Sequence, residues 1–178
     1  MPKESCPFCQ IVAERKDLLY EDEKIVALLH KMPSTQGHVL LMPKEHYPII
    51  EQVPDYVINH IFVLANTFST LLFETLQVQG TNIIVNNGIE AGQETAHFIV
   101  NVIPRIPGDG LNLQWQPKQI SDEEMSTVEL LLKEEAKHIG EFEKEKKILT
   151  ALATPSAGKV TEKKGQENYL LKHWRRMP

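Results

Sequence analysis

The chain has 178 residues, of which 42% are hydrophobic and 24% charged, and its formal net charge is −5. This length fits one domain with an appended segment, and the composition is ordinary for a soluble globular protein. The negative charge gives no reason to expect general nucleic-acid affinity. No apolar run approaches the roughly 20 residues that span a bilayer, and the first residues lack the apolar core of a signal peptide. We therefore predict a cytoplasmic protein without membrane contact.

The first half of the chain is predicted to hold two strands and a long helix. The strands cover residues 24–30 and 38–42, joined by a turn that contains Pro and Gly. From Pro54 to about Gln77 apolar residues recur at helical spacing, over an arc wider than one packing face needs. A sheet on one side and a second subunit on the other explains this width. Burial in a single core is the alternative.

Two further strands are predicted over residues 81–86 and 97–103, on either side of a glycine-containing loop. Because strand side chains alternate, His97, Ile99 and Asn101 share one face. The residues expected to point to the other face, into the core, are Phe98, Val100 and Val102.

The C-terminal part of the chain differs in composition. Ser121 and Glu124 have the spacing of a capping box, which predicts a helix from there to about Lys147. Residues 150–167 are typical of a flexible linker. We divide the chain into a domain over residues 1–117, a helix within 118–149, and a linker with a basic tail over 150–178.

The basic tail has two interpretations. Residues 159–178 carry six Lys or Arg against two Glu, with Tyr169 and Trp174 among them. A basic segment with interleaved aromatic residues can bind RNA or an acidic partner. Docking of its apolar residues on the chain's own surface or on a second subunit is the alternative that we favour.

The N-terminal segment contains a CxxC pair, Cys6-Pro7-Phe8-Cys9. Two thiolates at this spacing can bind one zinc ion, which needs two further ligands to complete a tetrahedron. A redox motif with the same spacing is the alternative. That alternative requires a preceding strand, for which the five residues before Cys6 leave no room.

The segment His97-Phe98-Ile99-Val100-Asn101-Val102-Ile103 resembles the motif of the histidine triad (HIT) family, His-φ-His-φ-His-φ-φ with φ apolar. His97 matches the first histidine, Ile99 stands at the nucleophile position and Asn101 at the third. The resemblance covers about residues 5–107. It implies an α+β fold, with an antiparallel sheet and the helix 54–77 packed on it, to which the helix predicted from the capping box adds a C-terminal helical extension. It also implies a homodimer whose sheets join.

The resemblance implies a metal site as well. Some zinc-containing members carry an N-terminal CxxC, a Pro-Lys-x-His segment and the first triad histidine. Residues 43–46 match the second of these patterns. The implied ligands of Zn²⁺ are Cys6, Cys9, His46 and His97. A Cys2His2 set leaves no open coordination position, so this zinc would be structural.

The same resemblance implies a nucleotide pocket with altered chemistry. In the family the positions of Asn86, Gly92 and Gln93 hold the phosphate and ribose side of a purine nucleotide, and Asn101 can donate its amide to a phosphate oxygen. A plain hairpin connection is the alternative for this loop. Ile99 cannot act as a nucleophile, and His30 stands where members usually have an acidic residue that grips the ribose.

Three functions remain open from the sequence. The favoured one is a HIT-family homologue without hydrolase activity, a pseudoenzyme with structural zinc that acts as a nucleotide-binding or protein-interaction module. The second is a nucleotide hydrolase or transferase, acting on a phosphoanhydride or phosphoramidate, in which His30 or another, unidentified group replaces the nucleophile. The third is an interaction scaffold that binds no nucleotide.

Overall fold

The computed structural model describes residues 3–140. They belong to a first compact unit, residues 1–145, and the second unit, residues 146–178, lies outside the described residues. The predicted linker and basic tail over residues 150–178 therefore stay predictions.

The described residues form three helices and five strands, apart from short 3-10 turns. They are α1 (Pro7–Glu14), β1 (Leu18–Glu21), β2 (Ile25–Leu29), β3 (Val39–Pro43), α2 (Asp55–Leu76), β4 (Gly80–Ile84), β5 (Val100–Arg105) and α3 (Asp122–Glu135). The strands form one antiparallel sheet in the order β1-β2-β3-β5-β4. The predicted α+β class is confirmed.

The main core lies between one face of the sheet and α2. Val57, Ile61 and Ala65 of α2 pack on this face. The predicted inward residues of the last strand, Phe98, Val100 and Val102, are all buried there, as strand alternation requires. The predicted long helix is also confirmed, because α2 begins and ends within one residue of the predicted bounds.

A second apolar cluster lies on the opposite face of the sheet, under α1. Val26, Leu28, Leu40 and Met42 are buried there beneath three residues of α1, Phe8, Ile11 and Val12, and beside Ile99. The sequence patterns did not predict α1 or β1. Both are short, and α1 exposes much of its surface, so neither has a strong periodic signal.

Two boundaries differ from the predicted ones by three residues or more. β5 begins at Val100 rather than at residue 97, so His97 precedes the strand. The capping box of Ser121 and Glu124 is confirmed, but α3 ends at Glu135 instead of continuing to Lys147. A 3-10 turn and Gly140 at φ +128° follow α3, and this backbone conformation does not continue a helix.

α2 is long and apolar enough, by length and composition, to cross a membrane, although no such run was expected. Its inner face packs on the sheet, and its N-terminal half carries Asn59 and His60. The packing identifies α2 as the central helix of the domain, because a core helix meets the same criteria of length and composition.

Gly37, in the β2–β3 connection, lies against the C-terminal end of α2. Its φ is +91°, and an added Cβ would come within 2.5 Å of Leu76 Cδ1 and 3.3 Å of Leu72 Cδ2. Gly37→Ala is expected to lower the free energy of unfolding by about 1 kcal/mol more than Gly88→Ala. Gly88 is the matched control, because its φ is +90° and no atom lies within 4 Å of its Cβ position. Equal urea midpoints for the two variants would contradict this steric account.

Candidate metal centre and neighbouring pocket

The structure brings the four predicted metal ligands together. The ligand atoms of Cys6, Cys9, His46 and His97 all lie within 4.8 Å of one another. Cys6 Sγ is 3.5 Å and Cys9 Sγ is 3.6 Å from Nδ1 of His97, and Cys9 Sγ is 3.3 Å from Nδ1 of His46. Two sulfur and two nitrogen donors in one cluster are a donor set that zinc prefers.

Three separate segments supply these ligands. Cys6 is the N-cap of α1 and Cys9 lies in its first turn, His46 follows β3, and His97 precedes β5. Cys6 and His97 are buried, with 0% and 1% exposure. An ion at this point would therefore join α1 to two neighbouring strands of the sheet.

The hydrogen bonds of His97 leave its Nδ1 lone pair available to a metal. Its Nε2 lies 3.0 Å from the carbonyl oxygen of Pro43. In the neutral ring, Nε2–H donates to this carbonyl and Nδ1 faces the two thiols without a proton. Metal-bound histidines commonly have such a second hydrogen bond, which orients the ring.

The electrostatics of the cluster also suit a cation. Burial and a hydrogen bond with Cys6 raise the pKa of the Cys9 thiol to about 11. Burial lowers the pKa of His97. Burial thus keeps His97 neutral and disfavours free thiolates, and a bound zinc ion would stabilise the thiolates that coordinate it.

Ile99 lies on the same face of the sheet, next to the metal ligands. It is half-buried and packs on the apolar cluster that α1 covers. Position 99 therefore has a packing role in this chain, and its side chain offers neither a nucleophile nor a proton.

Asn101 forms a hydrogen bond that the sequence patterns did not predict. Nε2 of His38 lies 3.1 Å from Oδ1 of Asn101, and Nδ2 of Asn101 donates to the carbonyl oxygen of Ile84 at 3.3 Å. His38, predicted as the first residue of the strand 38–42, lies directly before β3 and is 4% exposed. The sequence contained a signal for this contact. Side chains two positions apart in a strand share a face, so His38 is expected on the same face as Leu40, which pairs with Asn101 where β3 meets β5.

His30 and His38 stack on one another, with ring centroids 4.8 Å apart and an interplanar angle of 18°. Nδ1 of His30 accepts the backbone N–H of Met32 at 3.0 Å, and Nδ1 of His38 accepts that of Ser34 at 3.4 Å. Each neutral ring therefore carries its proton on Nε2. In His38 the Nε2–H donates to Oδ1 of Asn101. In His30 the Nε2–H is likewise a donor.

Asn86, Gly92 and Gln93 lie in the loop between β4 and β5, and the side chains of Asn86 and Gln93 form hydrogen bonds with this loop and with the β3–α2 connection. Gln93 accepts the N–H of Gly88 at 2.8 Å and donates to the carbonyl oxygen of Pro48 at 2.7 Å. Asn86 donates to the carbonyl oxygen of Gly92 at 3.2 Å. These bonds give the loop a defined shape. Contact of Asn86, Gly92 and Gln93 with a nucleotide stays a prediction.

A family model for the HIT domain matches residues 13–108, more than half of the chain. The chain belongs to the HIT family. A HIT-like protein of Methanocaldococcus jannaschii is 39% identical over 108 residues, which are 59% of this chain and 82% of the relative. The adenylylsulfatase HINT3 of Arabidopsis thaliana is 33% identical over 108 residues, 60% of this chain and 55% of that relative.

One solved structure of similar fold is described as zinc-bound. The zinc-bound histidine triad family protein from Mycobacterium smegmatis has a TM-score of 0.59 and 28% identity, and the match covers 76% of this chain and 99% of that one. In the present HIT protein the cluster of Cys6, Cys9, His46 and His97 can hold such an ion. The predicted zinc cofactor is supported on both grounds.

His38 is expected to make the stability of this HIT protein depend on pH. Burial, the largest cause, lowers its pKa below the ordinary 6.5. The unfolded chain then binds more protons than the folded chain near and below pH 6.5, so the free energy of unfolding falls as pH falls. His38→Gln should reduce this slope, by at most about 1.4 kcal/mol per pH unit.

The measurement is urea unfolding of the zinc-loaded protein between pH 5 and pH 8. His30→Gln is the comparison: it removes the other imidazole of the stack and its smaller contribution to the lowered pKa of His38, while burial, the largest cause, remains. Zinc release in acid affects all three proteins alike, so the difference between their slopes is the test. A His38→Gln slope equal to that of the wild type would refute the assignment.

Proposed function

We propose that this HIT protein binds a purine nucleotide without hydrolysing it, and that a structural zinc ion holds the binding face in shape. The main support is the packing of Ile99 in the apolar cluster under α1. The family nucleophile belongs at this position, and here it contributes to the packing of the domain. Loss of a covalent nucleophile costs several orders of magnitude in rate.

The remaining histidines of the pocket support the same conclusion. A nucleophilic or basic imidazole needs a free nitrogen lone pair directed at its target. Nδ1 of His30 and Nδ1 of His38 both accept backbone N–H groups, so Nε2 is a donor in each neutral ring. His30 is thus suited to donate a hydrogen bond to a phosphate or ribose oxygen. It is not suited to attack phosphorus.

The zinc ion has a structural role in this proposal. The four side chains complete a tetrahedral set, so no position is open for water or substrate. When bound, the ion supplies positive charge that stabilises two thiolates. Cys6 and Cys9 then hold α1 over Ile99, and His97 orients the start of β5.

Two measurements on the zinc-loaded protein test the proposal. Calorimetry should show saturable binding of AMP, and His30→Ala should weaken it. The control is His60→Ala. His60 lies in α2, and its imidazole contacts the carboxylate of Asp22 rather than residues of the predicted nucleotide site. Diadenosine polyphosphate, adenosine phosphoramidate and adenylyl sulfate should all stay intact. The last is included because the Arabidopsis relative is named an adenylylsulfatase.

Other results of these two measurements would support one of the two alternative functions. Turnover that His30→Ala abolishes would identify a relocated nucleophile and overturn the proposal. The absence of both binding and turnover would favour an interaction scaffold, for which the exposed apolar stripe of α3 is the supporting observation.

We further propose that the protein is a homodimer. β4 pairs with β5 on one side and has no strand on its other side within the described residues. It contains no charged residue and no proline, the usual features that protect a free edge. Pairing of two β4 strands would join the sheets of two subunits.

A further inference from the structure

α3 carries an apolar stripe that the described part of the chain leaves uncovered. Met125, Val128, Leu131 and Leu132 are 49% to 66% exposed. At 100° per residue they cover an arc of roughly 120°, which is wider than a coiled-coil seam and suits a broad surface. Among residues 3–140, α3 has substantial contacts only with the 3-10 turn that follows it. A helix of this length is marginal alone in water and needs a packing partner.

The outer face of α2, the side opposite the sheet, is a second exposed surface, on which apolar residues are interspersed with uncharged polar ones such as Asn59 and Asn66. Phe62, Val63 and Phe73 on this face are 39%, 63% and 43% exposed. No Asp, Glu, Lys or Arg lies between Asp55 and Glu74. Depletion of charge is typical of the centre of a protein–protein interface.

The threonines of α2 make its surface less polar than the sequence suggests. The hydroxyl groups of Thr67, Thr70 and Thr75 donate to the carbonyl oxygen four residues earlier, at 2.6 to 3.1 Å. Their hydrogen bonds are therefore satisfied within the helix, and burial against another apolar surface leaves these hydroxyl groups paired.

The segment that leads to α3 starts at the β4 edge of the sheet. Arg105 ends β5 and donates to Oδ1 of Asn82 in β4 and to the carbonyl oxygen of Leu111, both at 2.6 Å. Asn82, Arg105 and residues 111–115 together line a groove of about 580 Å³. α2 is close to the same edge, because Ser69 Oγ lies 2.7 Å from Thr81 Oγ1 of β4. The root of the segment therefore lies where a second subunit would join the sheet.

We propose that residues 111–135 form an arm that crosses to a second copy of the chain, where the stripe of α3 packs on the outer face of α2. The single chain leaves both surfaces exposed, and residues 111–121 have no regular structure to hold α3 beside its own domain. Eleven such residues reach at most about 40 Å. In a two-fold symmetric dimer, each arm would pack on the α2 helix of the other subunit. The same contact, made twice, would cover both stripes and both outer faces of α2. The inference rests on the homodimer proposed above.

A mixing experiment with full-length, zinc-loaded chains tests the exchange. One chain carries Leu132→Cys and a size tag, and the other carries Val63→Cys or, in a parallel mixture, Phe73→Cys. After exchange of subunits, a flexible bis-maleimide should join a tagged to an untagged chain in at least one of the two mixtures. Wild-type protein gives the background from Cys6 and Cys9.

Substitution of the stripe supplies an independent readout. Leu131→Glu with Leu132→Glu should raise the dimer dissociation constant, measured by sedimentation, at least about tenfold. Ser126→Glu, on the polar side of the same helix, should leave it unchanged. Both variants keep the sheet domain and its zinc ligands intact.

The outcomes separate this inference from the homodimer itself. A stable dimer without a cross-link in either mixture would overturn the arm exchange and leave the β4 interface in place. Cross-linking of Leu132→Cys chains only with one another would show pairing between two α3 helices, which also overturns it. A monomeric wild-type protein would overturn both proposals.

Discussion

Cys6→Ser is expected to remove the bound zinc and to produce the largest loss of stability of any single change considered. The purified wild type should contain about one zinc ion per chain, as a Cys2His2 set binds one ion. A ligand present at about 1,000 times its dissociation constant stabilises the folded state by about 4 kcal/mol. At about 2–4 °C per kcal/mol for a chain of this size, the melting temperature should fall by about 8–16 °C.

The physical reason is the position of Cys6. Its side chain is fully buried, and its thiol lies 3.5 Å from Nδ1 of His97. Without the metal, α1 is held on the sheet mainly by the contacts of Phe8, Ile11 and Val12. We therefore expect α1 to detach first, and its amide hydrogens should exchange faster in the variant than those of α2.

A chelator and a matched variant provide the controls. Wild-type protein treated with a chelator should melt at the temperature of Cys6→Ser, and returned zinc should restore only the wild type. His30→Asn, which removes an imidazole outside the cluster, should keep its zinc. A wild type that contains no metal, or that melts at the same temperature with and without it, would sink the assignment of a structural zinc site.

Restoration of the triad is the second large effect that we expect. If the parent chain is inactive as we propose, Ile99→His with Asn101→His should convert it into a protein that hydrolyses adenosine phosphoramidate. Since loss of a covalent nucleophile costs several orders of magnitude, a gain of at least about 100-fold over the control is expected. Product formation can be followed by chromatography at constant protein concentration.

The structure indicates what this repair must overcome. Ile99 is half-buried, so an imidazole at this position keeps contact with solvent but loses packing under α1. Replacement of Asn101 removes the acceptor of His38 and a donor to Ile84. A stability loss of about 1–3 kcal/mol is expected from the unpaired His38 alone.

The control for this repair is Ile99→Asn with Asn101→His, which has the same third position without a nucleophile. It should fold, bind nucleotide and remain inactive. If the two-histidine variant folds and binds AMP but shows no more turnover than this control, the missing nucleophile is not what prevents hydrolysis. If it folds and binds no AMP, the pocket itself no longer recognises a nucleotide.

The local patterns of the sequence predicted much of the fold. The helical spacing of residues 54–77 and the alternation of residues 97–103 survive in α2 and β5, because each pattern depends on the geometry of one element. The capping box at Ser121 is confirmed for the same reason. α1 and β1 were missed because short elements contain too few residues to establish a period.

The sequence by itself determined which chemical groups this protein has. It established that Ile99 and Asn101 replace two histidines of the family motif, and the resemblance named the four groups suited to zinc. Only the tertiary structure decided where these groups meet. Cys6 and His97 are 91 positions apart, and a 3.5 Å contact between them depends on sheet order and register.

The same holds for the hydrogen bonds of the predicted nucleotide site. Pairing of β3 with β5 brings His38 to Asn101, and the packing of α1 gives Ile99 its apolar surroundings. These contacts join segments that are distant in the sequence, and they depend on the register of the strands. A one-residue slip of a strand would turn its side chains to the opposite face of the sheet. Residue types are fixed along the chain, whereas their partners are fixed only when the sheet forms.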